Sequence, residues 1–123
     1  MSATTILITG DVPHMRRLLQ FTVRNTGHTI LKAESGETVI AMIDAQPVDL
    51  LIIDFGLQGM TGLETISALR KLESGATLPV ILITARGDSG IREDAQATEV
   101  SAFITKPFSP VELTQLVNRL LAS

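Results

Sequence analysis

The sequence contains no cysteine, no tryptophan and no tyrosine among its 123 residues. Without cysteine the chain forms no disulfide, no thiolate metal site and no cysteine nucleophile, which fits a reducing compartment. Its aromatic residues are four phenylalanines, and ten Lys and Arg residues are scattered along a chain with a formal net charge of −3. The basic surface and the stacking platform of a nucleic-acid-binding domain are both missing, so we expect no direct contact with nucleic acid.

Long hydrophobic stretches are also absent, although 45% of the residues are hydrophobic. The longest aliphatic runs are four residues, as in Leu50 to Ile53, whereas a membrane-spanning helix needs about 20. The first five residues contain no basic stretch that leads into an apolar one, so no signal peptide is visible. The length and composition predict one domain, residues 1–123, in the cytoplasm and without membrane contact.

Apolar runs alternate with helical patterns along the chain. Short aliphatic segments predict strands at residues 6–8, 29–33, 49–53, 80–83 and 102–104. Apolar spacing and capping residues predict helices at 13–26, at 36–45, after a capping box at 61–64, near 89–98, and after a capping box at 109–112. Five strand–helix pairs predict an α/β domain with a parallel sheet and helices on both faces.

The strand sequences also indicate their order in the sheet. The first, third and fourth strands are continuously aliphatic, as strands buried on both faces should be. The second strand carries Thr29 and Lys32, which suits an edge position. The sequence therefore predicts a single flavodoxin-like (βα)5 domain with the strand order 2-1-3-4-5.

Polar residues follow the apolar runs, at the sheet edge where parallel folds bind ligands. Asp11 follows the first strand, Asp54 the third, Thr84 the fourth and Lys106 the fifth. Carboxylates and backbone carbonyls suit Mg²⁺, which prefers to share its ligand shell with a phosphate. A lysine and a hydroxyl can hold phosphoryl oxygens, and an aspartate beside the metal can become an acyl phosphate.

This set of residues resembles the receiver domains of bacterial two-component response regulators. The likeness covers Ile6 to Leu121. It depends on acids, a hydroxyl and a lysine at the matching strand ends, and on a glycine after the phosphorylation loop: Asp11, Asp54, Thr84-Ala85, Lys106-Pro107-Phe108 and Gly62. Each short motif alone is weak, whereas all of them in order on this strand pattern are specific.

The resemblance implies that Asp54 accepts a phosphoryl group from a sensor histidine kinase or a phosphotransfer protein. Asp11, Asp54 and the backbone carbonyl of Gly56 would bind Mg²⁺, and Lys106 would pair with the phosphoryl group or with Asp54. Such a domain is not an enzyme beyond its own phosphorylation and dephosphorylation. Its output would pass to an effector protein or to an effector domain outside this sequence.

The resemblance also implies a conformational switch. Thr84 would move toward the phosphoryl group, and Phe103, in the position of the family's switch aromatic, would turn inward with it. The state would be relayed through the face of the fourth helix, the fifth strand and the fifth helix. The Lys106–Pro107 peptide is similar to one that is usually cis in this family, and X-Pro is the context in which cis costs little.

The sequence departs from the family pattern at several positions, one of which is the segment 98–100 before the fifth strand, where a small-Gly-small sequence is usual. Gly10 stands where the first of two adjacent acids is expected, Val12 replaces an acid or polar residue, and Gln58 replaces a common proline. Losing the first acid removes a carboxylate that holds Mg²⁺ through water, so we expect weaker metal binding. Gly10 and Val12 favour an alternative function, that of a pseudo-receiver, a binding module that works without Mg²⁺-dependent phosphorylation.

Two further classes fit the residues poorly. An aspartyl-phosphate phosphatase needs a second acid two residues after its nucleophile to protonate the leaving group, and that position is Gly56. A flavin-binding module would need a Ser/Thr-rich phosphate loop after the first strand and aromatic side chains for the ring. The segment 10–13 and the absence of Trp and Tyr disfavour it.

Overall fold

The computed structural model describes residues 4–10, 28–57, 59–84, 100–105 and 110–122. The strands in these ranges are β1 (Thr5–Thr9), β2 (Thr29–Ala33), β3 (Leu50–Asp54), β4 (Val80–Thr84) and β5 (Ala102–Thr105). The helices are α1 (Gly36–Ala45), α2 (Gly62–Leu69) and α3 (Pro110–Ala122), with a 3-10 turn at Glu73–Gly75. None of these helices is long and apolar enough to cross a membrane. The helices predicted at 13–26 and near 89–98 lie outside the described residues.

All five strands pair in parallel, in the order β2-β1-β3-β4-β5. The predicted sheet and its strand order are therefore confirmed. Every residue of β3 and β4 is buried, because these strands lie inside the sheet and helices cover both of its faces. β2 lies at one edge, and its Thr29 and Lys32 side chains are exposed as the sequence indicated.

Alternate residues of each strand face two separate hydrophobic cores. The first core joins the sheet to α1 and α2 and includes Leu7, Val39, Ile43, Leu51, Ile53, Ile66, Leu69 and Leu82. The second core joins the opposite face to α3 and includes Ile6, Ile8, Ile52, Ile83, Leu113 and Val117. Each buried side chain of this kind contributes about 1.5–3 kcal/mol relative to an exposed one. The ends of the central strands are thus held from both faces.

Side-chain caps fix where two helices begin. Ser35 Oγ accepts the N–H of Thr38 at 3.2 Å and so caps α1. At α2 the predicted capping box is confirmed: Thr61 Oγ1 accepts the Glu64 N–H at 3.1 Å, and Glu64 Oε1 accepts the Thr61 N–H at 2.9 Å. The capping box predicted from Ser109 lies outside the described residues. The caps satisfy N–H groups that a helix start leaves without partners.

Candidate functional site

The carboxyl ends of β1, β3 and β4 lie side by side. Thr9 is the last residue of β1 and is paired with Ile53 in the parallel register; Gly10 follows Thr9, and Asp54 follows Ile53. Asp54 ends β3, and Thr84 ends β4 on its other side. Asp54 and Thr84 are each 4% exposed, and Gly10 is buried. Asp54 is paired with Ile83, so Thr84 lies one residue further along β4, and both residues are buried at the same edge of the sheet.

The Asp54 carboxylate is held by the backbone that follows it. Its Oδ1 accepts the N–H of Gly56 at 2.9 Å. The N–H of Phe55 donates to the carbonyl of Ile83 at 2.9 Å, which extends the pairing with β4 past Asp54. A hydrogen bond to a charged acceptor is among the stronger ones, and burying a charge without such a bond is costly. The pattern of strand and turn thus fixes the orientation of this side chain.

The loop after Asp54 folds back, so that its last residues contact the end of β3. The N–H of Gly62, the first residue of α2, donates to the carbonyl of Phe55 at 2.8 Å. A Cβ atom on residue 62 would lie 2.8 Å from the backbone oxygen of Asp54 and 2.9 Å from Phe55 Cα. Only glycine lets α2 begin so close to the end of β3. Gly59 makes the turn between them with a φ of 78°.

Thr84 and Phe103 lie on the same face of the sheet. Phe103 is paired with Leu82 across β4 and β5, and Thr105 is paired with Thr84. Because strand side chains alternate between faces, Leu82, Thr84 and Phe103 share one face. Phe103 is half-buried and packs against the first core. The two residues that the resemblance pairs as a switch are thus diagonal neighbours on adjacent strands.

The structure joins Asp54 and Gly56 by a hydrogen bond, and it places Thr84 at the end of the adjacent strand β4 and Phe103 on β5. Asp11, Lys106 and Pro107 lie outside the described residues, and their parts in the site stay predictions. The sequence predicts a role for the carbonyl of Gly56 alone, whereas the structure shows that its N–H binds the Asp54 carboxylate. The signal was available, because an aspartate often accepts the N–H two residues on.

Oxygen donors of the kind that Mg²⁺ prefers stand at the end of β3, namely the Asp54 carboxylate and the Gly56 backbone carbonyl. No cluster of three or more His, Cys, Asp and Glu residues suited to a metal occurs within the described ranges. Mg²⁺ uses only one or two carboxylates and keeps several waters, whereas zinc and its neighbours favour imidazole and thiolate. The donors present therefore fit Mg²⁺.

Thr9, the last residue of β1, is a second feature of this edge that the sequence does not predict. It is 0% exposed, and its Oγ1 has no hydrogen-bond partner among the described residues. A buried hydroxyl without a partner costs free energy, since water satisfies it in the unfolded chain. The end of β1 is thus less stable than its aliphatic sequence suggests.

Thr9→Val is expected to raise the free energy of unfolding by about 1 kcal/mol, because valine has a similar shape and buries no polar atom. Chemical denaturation of both proteins measures the change. Thr9→Ser keeps the hydroxyl and should give no increase. A valine variant less stable than the original chain would show that the hydroxyl has a favourable contact.

Comparison with known proteins shows the family to which the chain belongs. The sequence profile of the response regulator receiver domain matches residues 6–118. This chain belongs to the response regulator receiver domain family. The receiver domain is CheY-like and is a component of two-component signalling.

The receiver domain is similar to proteins that carry it alone and to longer regulators. It is 30% identical to the chemotaxis protein CheY of Pseudomonas aeruginosa over 94% of this chain and 94% of that protein. It is 33% identical to the phosphate regulon regulator PhoB of the same organism, over 98% of this chain and 53% of PhoB. The chain thus spans about half the length of the PhoB proteins it matches.

Solved structures agree with the fold. A protein assigned as a response regulator from Chloroflexus aurantiacus superposes with a TM-score of 0.92 and 30% identity, covering 99% of this chain and 100% of that one. The receiver domain of the sensor histidine kinase PA1611 from Pseudomonas aeruginosa superposes with a TM-score of 0.90 and 24% identity, over 99% of this chain and 100% of that one. Its active site cleft holds a magnesium ion.

Proposed function

We propose that this receiver domain is switched by phosphorylation of Asp54, with the phosphoryl group supplied by a sensor histidine kinase or a phosphotransfer protein. The position of Asp54 carries the proposal. Its carboxylate is 4% exposed, ends a central strand, and accepts a hydrogen bond from the Gly56 N–H. A carboxylate held in this way at the ligand-binding edge of a parallel sheet is suited to act as a nucleophile.

The transfer would proceed by direct displacement at phosphorus. A carboxylate oxygen of Asp54 attacks the phosphorus atom, and the bond from phosphorus to the donor breaks. The donor group leaves with the electron pair, and Asp54 becomes an acyl phosphate. The bond from Gly56 and the packing of β3 restrict the rotation of the carboxylate, which reduces the entropy lost on reaching the reactive geometry.

Asp54, the Gly56 carbonyl and Asp11 would hold Mg²⁺ in this proposal. The ion would neutralise charge on the phosphoryl oxygens. The magnesium in the cleft of the PA1611 receiver domain supports this assignment, as does the oxygen-only donor set at the end of β3.

Through Thr84 and Phe103, phosphorylation of Asp54 would change the surface of the domain. The Thr84 hydroxyl would donate to a phosphoryl oxygen and move toward Asp54. Phe103 lies on the same face and is only half-buried, so it can pack deeper into the space that this movement opens. The changed surface would comprise the predicted fourth helix, β5 and α3. An effector protein, or an effector domain elsewhere in the polypeptide, would read it.

Lys106→Ala is expected to leave residues 1–123 folded as one domain but to reduce the response to phosphorylation. The ammonium group would oppose phosphoryl charge in a partly dehydrated site, where a charge-assisted hydrogen bond contributes about 1.5–3 kcal/mol. Amide NMR spectra before and after phosphorylation measure the response. Lys71→Ala removes an exposed lysine beyond α2 and is the matched control. A Lys106 variant with the full spectral change would refute the role.

The burial of Gly10 beside Asp54 favours the second candidate, a pseudo-receiver that does not use Mg²⁺-dependent phosphorylation. The two candidate functions are distinguished by the intact mass of the protein. The mass is measured after incubation with acetyl phosphate, with and without Mg²⁺. The phosphorylation proposal predicts a gain of one phosphoryl group that requires Mg²⁺. The absence of any gain across a wide range of Mg²⁺ concentration would support the pseudo-receiver.

A further inference from the structure

The N-terminus of α1 packs closely against the start of α2. Gly36, the first residue of α1, is buried, and it faces Thr65 of α2, which is 0% exposed. A Cβ atom on residue 36 would overlap Thr65 Oγ1 and would lie 3.1 Å from Met60 Cβ and 3.3 Å from Thr65 Cβ. The two helices therefore come together at a residue that has no side chain.

The atoms around Gly36 cannot easily give way. Thr65 Oγ1 donates to the carbonyl of Thr61 at 2.9 Å, so rotation of this buried side chain would break a hydrogen bond. The Cβ atoms of Thr65 and Met60 are fixed to the backbone and move only with it. Because a close-packed interior transmits a displacement instead of absorbing it, a methyl group at position 36 would push the first turn of α2.

A second contact joins α1 to the loop that follows Asp54. Gly59 makes the turn in this loop, and a Cβ atom on it would lie 3.4 Å from Oε1 of Glu37. Glu37 is the second residue of α1. The first two residues of α1 thus lie against residues 59–65, which comprise the end of the loop and the first turn of α2.

The start of α2 in turn determines where Asp54 lies. The N–H of Gly62 donates to the carbonyl of Phe55 at 2.8 Å, and a Cβ on residue 62 would lie 2.8 Å from the backbone oxygen of Asp54. A displacement of the start of α2 must therefore reach the end of β3. Close contacts connect Gly36 to Thr65, and the turn that contains Thr65 begins at the residue that touches Asp54.

We propose that Gly36 is a positioning residue for Asp54. The close packing of α1 on α2 holds the start of α2, and through it the Asp54 carboxylate, in the geometry that reacts with the phosphoryl donor. The inference rests on the proposed function of Asp54 and extends it to α1. A displacement of about 1 Å can lower a reaction rate by about 100-fold. The docking of α1 therefore controls the rate at which Asp54 is phosphorylated.

Gly36→Ala tests this inference in the full chain. Its phosphorylation by acetyl phosphate and Mg²⁺, followed by intact mass, should be at least about tenfold slower than that of the original chain. The Gly56 N–H donates to Asp54 Oδ1 at 2.9 Å, so its amide NMR signal should also shift in the unphosphorylated variant. A folded variant in which either the rate or the signal stays unchanged would overturn the inference.

Gly75→Ala is the matched control. Residue 75 follows the other end of α2, where a Cβ atom would overlap the carbonyl oxygen of Leu69 and lie 3.0 Å from its carbonyl carbon. This variant should also be destabilised, as judged by thermal unfolding, but it should keep the original rate and the original Gly56 signal. Equal slowing in both variants would show that general destabilisation is the cause, and would overturn the inference.

Removal of the atom that the new methyl group meets should restore the reaction. Gly36→Ala combined with Thr65→Ala lacks Oγ1, and the Thr61 carbonyl keeps its hydrogen bond from the N–H of residue 65 at 3.0 Å. We expect its rate to return to within about twofold of that of Thr65→Ala alone. Gly36→Ala combined with Thr65→Val has a carbon in place of Oγ1 and should stay slow. Recovery with both partners, or with neither, would overturn the inference.

The outcomes separate this inference from the proposed function. If the original chain gains no phosphoryl group, the phosphorylation proposal fails and the inference with it. If the original chain is phosphorylated and Gly36→Ala reacts at the same rate, only the inference fails. Should Gly36→Ala alone not fold, its combination with Thr65→Ala decides. Recovery of both fold and rate supports the inference, and a folded double variant that reacts slowly overturns it.

Discussion

Asp54→Asn is expected to abolish phosphorylation of the receiver domain by acetyl phosphate, as judged by intact mass. An amide cannot form the acyl phosphate, so no partial activity should remain. The fold should persist, because asparagine has nearly the same volume and its Oδ1 can still accept the Gly56 N–H that binds Asp54 at 2.9 Å. A circular dichroism spectrum and a thermal unfolding curve check that the variant is folded.

Asp44→Asn is the matched control for this substitution. Asp44 is an exposed acid on α1, away from the strand ends, and the same chemical change there should leave the mass gain intact. A folded Asp54 variant that still gains one phosphoryl group would contradict the assignment. The phosphoryl group would then be carried by another side chain.

Gly62→Ala is expected to lower the free energy of unfolding by roughly 1–3 kcal/mol, the usual cost of forcing an extra carbon into a packed site. The added Cβ would lie 2.8 Å from the Asp54 oxygen and 2.9 Å from Phe55 Cα, and backbone atoms cannot rotate away as a flexible side chain can. The start of α2 must move, and Asp54 with it. Denaturant titration measures the stability, and the rate of phosphorylation should fall in the same variant.

Gly56→Ala provides the comparison within the same loop. Among the described residues, a Cβ on residue 56 would meet Asp54 Oδ1 alone, at 3.8 Å, which is an ordinary contact. The residue is also exposed, so the change in unfolding free energy should stay within about 0.5 kcal/mol. If both alanine variants lost the same stability, close packing at Gly62 would not explain the effect.

Much of the fold could be predicted because the composition of each strand indicates whether the strand is buried or lies at an edge of the sheet. The fully aliphatic β3 and β4 are buried throughout, and Thr29 and Lys32 mark β2 as an edge strand. The predicted third strand ended at Ile53, whereas β3 extends to Asp54 because the pairing with β4 continues to Ile83. Apolar patterning cannot detect this extension, since it depends on backbone hydrogen bonds between β3 and β4, such as the one from the Phe55 N–H to the Ile83 carbonyl.

The parts of the site that escaped prediction depend on distances between elements. Gly62 looked like a family marker, and only the packing of α2 against β3 shows which backbone atoms require it. Thr9 is an ordinary β-branched residue in the sequence, and only the structure shows that its hydroxyl is buried without a hydrogen-bond partner among the described residues.

Chemical trapping of the acyl phosphate tests directly whether Asp54 is the residue that carries the phosphoryl group. The receiver domain is incubated with acetyl phosphate and Mg²⁺ and reduced with borohydride, which converts an aspartyl phosphate to homoserine. Peptide mass mapping then locates the change. We expect reduction at position 54, dependent on both phosphodonor and Mg²⁺ and absent from Asp54→Asn. Reduction at any other acid, or none in the presence of both reagents, would contradict it.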